Sequence, residues 1–232
     1  MKGRRKFLLI SCFFVVDILL VVGIVFVCSM TLTMSLEKEI NSLSSLTLYS
    51  DRFNTEVKSV GNYSKIEEAI KSYLDDYALN VQNVLNSIDY QKLDNFSSDF
   101  YYLNDISVFN NDLVYLNNLK QSFNYDVNLL LNNDDKAIYD YVYNYINNDY
   151  FVKLYNDLID ENIISIIKEC DIYLEFKKVQ INAYIDSIYN YVNFLEKNSN
   201  NYFIVEGNIQ FNNSDLEIEY FELIEKVKES KV

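Results

Sequence analysis

The chain has no histidine, no tryptophan and no proline, and only four glycines and three cysteines in 232 residues. Each absence removes a class of chemistry or of fold. Without histidine there is no Ser-His-Asp or Cys-His pair, no H-E-x-x-H zinc site and no di-iron bundle built on Glu-x-x-His. So few glycines and prolines argue against a turn-rich β sandwich or barrel. The glycines are also too scattered to form a phosphate-cradling loop. A glycosidase needs only two carboxylates at a suitable separation, but such clefts usually carry a Trp platform, which this chain cannot supply. The acidic clusters Asp134-Asp135 and Asp157, Asp160, Glu161 lack the Gly-centred alternation of a calcium loop and read as helix caps and solvated turns. No cofactor or metal is expected.

Cysteine is equally sparse. Cys12 and Cys28 fall in an apolar run, leaving Cys170 alone outside it, so no intramolecular bridge is expected beyond that run. Cys170 lies on an apolar helical seam and is expected to be a buried structural residue. Its neighbours Glu169 and Asp171 disfavour a reactive thiolate.

Basic charge is scarce too, with 20 Lys and Arg against 34 Asp and Glu. Setting aside Lys2, Arg4, Arg5, Lys6 and Asp17 leaves 16 basic against 33 acidic residues, a net charge of −17 for the rest. Such a surface repels phosphate backbones, so nucleic acid is excluded as a partner. By the same reasoning the acidic part is expected to stand away from an anionic membrane. The wealth of Ile, Asn, Lys, Tyr and Asp matches a very AT-rich coding sequence of a bacterial kind.

What is present begins with Phe7 to Met30, 24 nearly unbroken apolar residues. About 20 suffice to cross a bilayer as a helix. Lys2, Arg4, Arg5 and Lys6 before the run predict a cytoplasmic amino terminus and an outer carboxy-terminal part. A cleaved signal peptide has a shorter apolar stretch ending in small residues. Here Val25-Phe26-Val27-Cys28 is bulky, and Val27 stands where a lipidated cysteine wants a small residue before it. The reading is therefore a retained anchor, with residues 1–6 as a basic tail, 7–31 as the span, 32–200 as a helical bundle and 201–232 as a docked hairpin and helix. With six residues ahead of the span, any signal is expected to leave through a partner.

Asp17 sits near the middle of that span, where a carboxylate costs roughly 2.5 to 3.5 kcal/mol on insertion scales. Two readings stand. It pairs with another membrane helix or with a second copy of itself, or the Leu-, Val-, Ile- and Phe-rich run simply absorbs the cost. Asp17 is the candidate membrane-partner residue.

Beyond the span, apolar residues recur with helical spacing. Leu36, Ile40, Leu43, Leu46, Phe53, Val57 and Val60 predict a first outer helix continuous with the anchor and stopped by Gly61. The Ser-rich stretch Asn41 to Ser45 is its weak point. Ser64 and Glu67 read as a capping box opening a second helix, with Ile66, Ile70, Tyr73, Tyr77, Val81, Val84 and Ile88 on its apolar face and Lys71 off it. A polar–aromatic connection follows from Asp89 to Asn110. Leu113, Leu116, Lys120, Phe123, Val127 and Leu130 mark a third helix. Residues 132–135 close it and cap a fourth, which runs through Ile138 and Tyr145 and on toward Ile159.

The longest pattern is Ile163, Ile167, Cys170, Leu174, Lys177, Ile181, Tyr184, Ile188, Tyr191 and Leu195, an unbroken 4-3 heptad seam. Its one charge, Lys177, is expected to lift its head toward solvent. Phe203 to Phe211 reads as a hairpin around Gly207-Asn208 that must pack on the helices to be stable. Ser214 and Glu217 read as a second capping box before a final helix. The expected fold is all-α: an N-terminal transmembrane helix, then an extracytoplasmic antiparallel helical bundle with a small C-terminal β-hairpin and terminal helix.

Tyrosine is the conspicuous excess. Tyr139, Tyr141, Tyr143 and Tyr145 alternate by two and Tyr150 follows, so on a helix they cannot all face one core and some are expected at the surface. Tyrosine suits interfaces because it joins an apolar ring to a hydrogen-bonding tip. Tyr101 and Tyr102 in the long connection form a second such group. The chain is thus expected to be a non-enzymatic, single-pass membrane protein whose outer helical domain binds or senses another membrane or surface protein. A ligand- or glycan-binding module using exposed tyrosines and a carboxylate-dependent hydrolase are the alternatives.

Overall fold

The computed structural model describes residues 2–49, 54–98, 108–132, 136–206 and 208–232, with side chains from Val15 onward. It is mostly helical with one small antiparallel sheet. The described helices are α1 (Lys2–Asn41), α2 (Asn62–Asn86), α3 (Tyr90–Phe96), α4 (Phe109–Leu131), α5 (Lys136–Tyr141), α6 (Asp149–Leu158), α7 (Ile164–Lys197) and α8 (Ser214–Ser230). Strands β1 (Tyr202–Val205) and β2 (Asn208–Phe211) pair antiparallel between α7 and α8. The chain forms two compact units: residues 1–76 with 134–167, and residues 77–133 with 168–232.

In the first unit α1 changes environment along its length. Apolar residues from Val15 to Val27 are 49–68% exposed, whereas Leu36 and Ile40 are fully buried. α1 is the one described helix long and apolar enough to cross a membrane. It stops at Asn41 and tightens into a 3-10 turn, Ser42–Ser45. The anticipated helix to Val60 therefore does not form: residues 54–60 are non-helical, and Phe53 lies outside the described residues. The cause is local. Ser42, Ser44 and Ser45 hydroxyls donate to the carbonyls of Glu39, Asn41 and Ser42, offering the backbone an alternative to the helical ladder.

Gly61, at φ +63°, then turns the chain into α2 in a conformation glycine adopts at little cost. The expected capping box is absent. Ser64 Oγ donates back to the Gly61 carbonyl, and Glu67 accepts instead from the backbone N–H groups of Lys58 and Ser59. The expected long fourth helix is likewise divided. α5 ends in a 3-10 turn, Val142–Asn144, and Asn148 caps α6 by accepting from Tyr150 and Phe151 N–H. A π-helical turn, Ile159–Ile163, joins α6 to α7 and packs against the Ser42–Ser45 turn. The capping expected at Asn133, Asp134 and Asp135 lies outside the described residues.

In the second unit the heptad seam is the core. Cys170, Leu174, Ile181, Tyr184, Ile188, Tyr191 and Leu195 are all buried. α4 runs antiparallel to α7, as three polar pairs require: Lys120 with Asp186, Asn124 with Asn182, and Asn128 with Lys178. Residue numbers rise on one helix as they fall on the other. Burial, reinforced by Asp171, pushes the Cys170 thiol up to about 12, in keeping with a structural cysteine. Lys177 is half-buried with its ammonium over the Tyr173 ring, 5.9 Å from the centroid.

The hairpin forms, but Asn208 pairs with Val205, so its turn begins at Glu206 (φ 52°), one residue earlier than expected. Buried Phe211 packs on Phe194 of α7 and Tyr220 of α8, supplying the support a lone hairpin lacks. α8 is capped by Asn213, whose side chain accepts from Asp215 N–H, and not by a Ser214–Glu217 box.

Candidate functional site at the junction of the apolar helix and the first unit

The polar groups of the first unit converge where α1 enters the folded chain. Lys71, 1% exposed, donates to Glu67 Oε1 at 2.8 Å, Glu39 Oε1 at 2.9 Å and the Glu56 carbonyl at 2.6 Å. All three ammonium protons are used. Glu67, 0% exposed, also accepts from Lys58 N–H at 3.0 Å and Ser59 N–H at 2.7 Å. Lys58 Nζ then closes the set on Glu39 at 2.9 Å. The network clasps α1, residues 56–59 and α2 together. Burying one of these charges alone would be costly, and mutual hydrogen bonding is what makes the arrangement tolerable.

The two carboxylates of this network are held in their charged form. Burial would raise the Glu67 carboxyl, but hydrogen bonds from Lys71, Lys58 and Ser59 outweigh it and hold the group below its ordinary range. At Glu39 the hydrogen bond from Lys58, joined by Lys71, lowers the carboxyl against a smaller effect of burial. A hydrolase's general acid requires the opposite shift. The geometry describes a structural clasp.

About two turns back along α2 from Lys71, nearer the apolar run of α1, an aromatic group does similar work. The Tyr63 hydroxyl lies 2.9 Å from Ser29 Oγ and donates to the Ser29 carbonyl at 3.3 Å, while Thr33 Oγ1 donates to the Tyr63 hydroxyl at 3.4 Å. Edge-on contacts continue outward from Tyr63 to Phe151 (5.2 Å) and from Phe151 to Tyr150 (5.0 Å). Tyr150 is 57% exposed. Pairing of Tyr63 with α1 near residues 29–33 and of Lys71 with Glu39 means that α2 ascends parallel to α1 from the end of the apolar run.

The remaining tyrosines singled out from the sequence divide between framework and surface. Tyr139 donates to Asp160. Tyr141 donates to Asp76 at 2.8 Å and meets Tyr73 edge-on. Burial, with the bond to Asp76, pushes its hydroxyl up to about 12. Tyr145 stacks on Tyr141 at 5.9 Å. Tyr143 is 57% exposed. Tyr101 and Tyr102 lie outside the described residues. Asp17 is exposed on α1.

Sequence reasoning missed the clasp because it set Lys71 on the polar face of α2. A signal was available. Glu67 and Lys71 form an i,i+4 pair interleaved with Tyr63, Ile70, Leu74 and Ala78, all buried. Ser29 and Thr33, also four apart, mark the face of α1 that Tyr63 meets.

The second unit carries a different candidate surface. Ile172 (68% exposed), Phe176 (57%) and Val179 (69%) repeat at 4-3 spacing, and exposed Ala183 extends the row. They lie on α7 opposite its buried seam. Polar-rimmed clefts also occur there. One of about 290 Å³ is lined by Asn80, Asn83, Ser87 and Asp126. Another of about 180 Å³ lies between Ser97, Tyr184, Tyr191, Lys228 and Lys231. No protein-family model, curated protein or solved structure matches the chain.

Proposed function

We propose that the chain is a single-pass membrane protein that binds another protein through its helical domain, without catalysis. In this reading α1 spans the cell membrane with its basic end in the cytoplasm, and the domain lies outside the cytoplasm as an antiparallel helical assembly. The bare apolar flank of α1 supports the anchor, because side chains so exposed from Val15 to Val27 are far better accommodated in lipid than in water.

One observation carries the partner. The row Ile172, Phe176, Val179 and Ala183 repeats the spacing of a coiled-coil seam on the exposed face of α7, and apolar rows of this kind receive an amphipathic helix of a partner. Polar Ser165 and Lys168 before it and Asn190 after it bound the row to about three turns. The clasp around Lys71 supports the anchor part of this reading, since it fastens α1 to the rest of the first unit.

Photo-crosslinking in intact cells tests this. A photoreactive benzoylphenylalanine at position 176 is expected to give one discrete adduct, lost when Val179 is changed to Asp. The same probe at Asn190, on the polar continuation of that face, is expected to give none. Equal adducts from both positions, or none from position 176, would remove the partner reading.

A further inference from the structure

The geometry points to a second membrane contact, made by folded aromatic residues: the Tyr63–Phe151–Tyr150 group seats the first unit in the headgroup–acyl boundary of the bilayer that α1 crosses. This rests on the anchor reading above and adds to it. The acidic composition predicts a domain held clear of lipid, and the structure offers a specific exception at one edge.

Depth follows from α1. The run Phe7 to Met30 has 24 residues, so at about 1.5 Å per residue it covers about 36 Å, against a hydrocarbon core of about 30 Å. Ser29 and Thr33 therefore fall at the outer boundary of the core, and the Tyr63 hydroxyl is bonded there. Phe151 and Tyr150 follow within two ring contacts of 5.2 and 5.0 Å.

Chemistry agrees with depth. Tyrosine is favoured at this level, where its ring meets acyl chains and its hydroxyl meets water and headgroups. Met30 (56% exposed) and Met34 (59% exposed) continue the apolar edge on α1 itself. Asn147, Asn148 and Asp149, exposed just before Tyr150, supply polar groups at headgroup height. With Asp149 there and no lysine among them, the surface suits a zwitterionic headgroup. Because the carboxyl ends of α1 and α2 both lead away from this level, the rest of the first unit rises from it. Tyr141 binds Ser72 and Asp76, which stand roughly 14 to 20 Å farther along α2 than Tyr63 at 1.5 Å per residue.

The absence of tryptophan makes the test direct. The full chain is placed in phosphatidylcholine vesicles as one of three single-tryptophan variants: Tyr150→Trp at the proposed seat, Phe26→Trp in the span, and Tyr143→Trp, exposed in the same unit but beside Tyr141. Emission is compared with and without phosphatidylcholine brominated near the top of its acyl chains. Tyr150→Trp is expected to emit at shorter wavelength than Tyr143→Trp and to lose intensity on bromination, while Tyr143→Trp is unaffected. Loss at Phe26→Trp with none at Tyr150→Trp would overturn the seat and leave the anchor standing. No loss at Phe26→Trp would overturn the anchor, and the seat with it.

Discussion

The two units solve the problem of holding helices together by opposite means. The second unit relies on an apolar seam, Cys170 to Leu195, and keeps its ion pairs at the surface, where Lys120 and Asp186 side chains are 33% and 50% exposed. The first unit buries a cation and a carboxylate outright, with Lys71 and Glu67 side chains 1% and 0% exposed. The difference teaches where specificity is needed. An apolar seam tolerates small shifts of register, whereas Lys71 is satisfied only when α1, residues 56–59 and α2 are all in place. Under the proposed anchor reading, such a clasp suits the unit that fastens α1.

The comparison breaks most sharply at Lys71. Lys71→Met leaves Glu67 buried without its cation and is expected to cost about 3–5 kcal/mol of stability, measured by denaturant unfolding of the chain in detergent micelles. Pairing it with Glu67→Met is expected to restore much of that loss, since an apolar pair of similar volume can replace a buried ion pair at little cost. A double variant as unstable as the single one would mean that the clasp contributes packing and not charge balance.

Acid sharpens the contrast with a smaller effect. Glu39 and Glu67 titrate below their ordinary value of 4.5 in the folded chain, so the stability they contribute is fully present above that value and is lost as pH falls through their lowered folded values. In the second unit Asp94 is also lowered, by Lys231 and Tyr184, but its side chain is 41% exposed and solvent weakens the effect. Hydrogen exchange followed from pH 6 downward is thus expected to show α2 residues near Lys71 losing protection before those of α4. Simultaneous loss would contradict the assignment of acid sensitivity to the clasp.

The smallest expected effect is at Lys120. Lys120→Ala removes a surface pair with Asp186 and is expected to change stability by less than about 1 kcal/mol, read in the same unfolding measurement. A loss as large as that at Lys71 would show that the polar ladder between α4 and α7, and not the seam, holds the second unit.

Legibility differed between the units for the same reason. Most of the heptad of α7 could be read directly, because its seam positions repeat at a spacing that the helix itself dictates, although Ile167 and Lys177 are only half-buried and Ile166 is buried beside the expected Ile167. Tyr150 was picked out with the other tyrosines by composition, and the alternation implied that some of the group are exposed without saying which; Tyr143 and Tyr150 are. The clasp was not legible in advance. A charged residue on a helix normally faces water, and only residues 56–59, arriving from outside α2, supply the carbonyl and N–H groups that make Lys71 and Glu67 tolerable inside. Both capping boxes misled for a related reason: the Ser–x–x–Glu pattern states what two side chains are able to do, and Glu67 had better partners while Ser214 is already the first residue of α8, leaving the capping position to Asn213.

By itself the sequence determined the apolar run, the lack of histidine-based chemistry, the acidic balance and the long seam, all of which depend on residue type and on spacing within one helix. Tertiary structure alone decided that Lys71 lies inside and that Tyr63 reaches Ser29. Those outcomes join segments many residues apart, and a hydrogen bond between them depends on where folding brings the two ends, which no local pattern encodes.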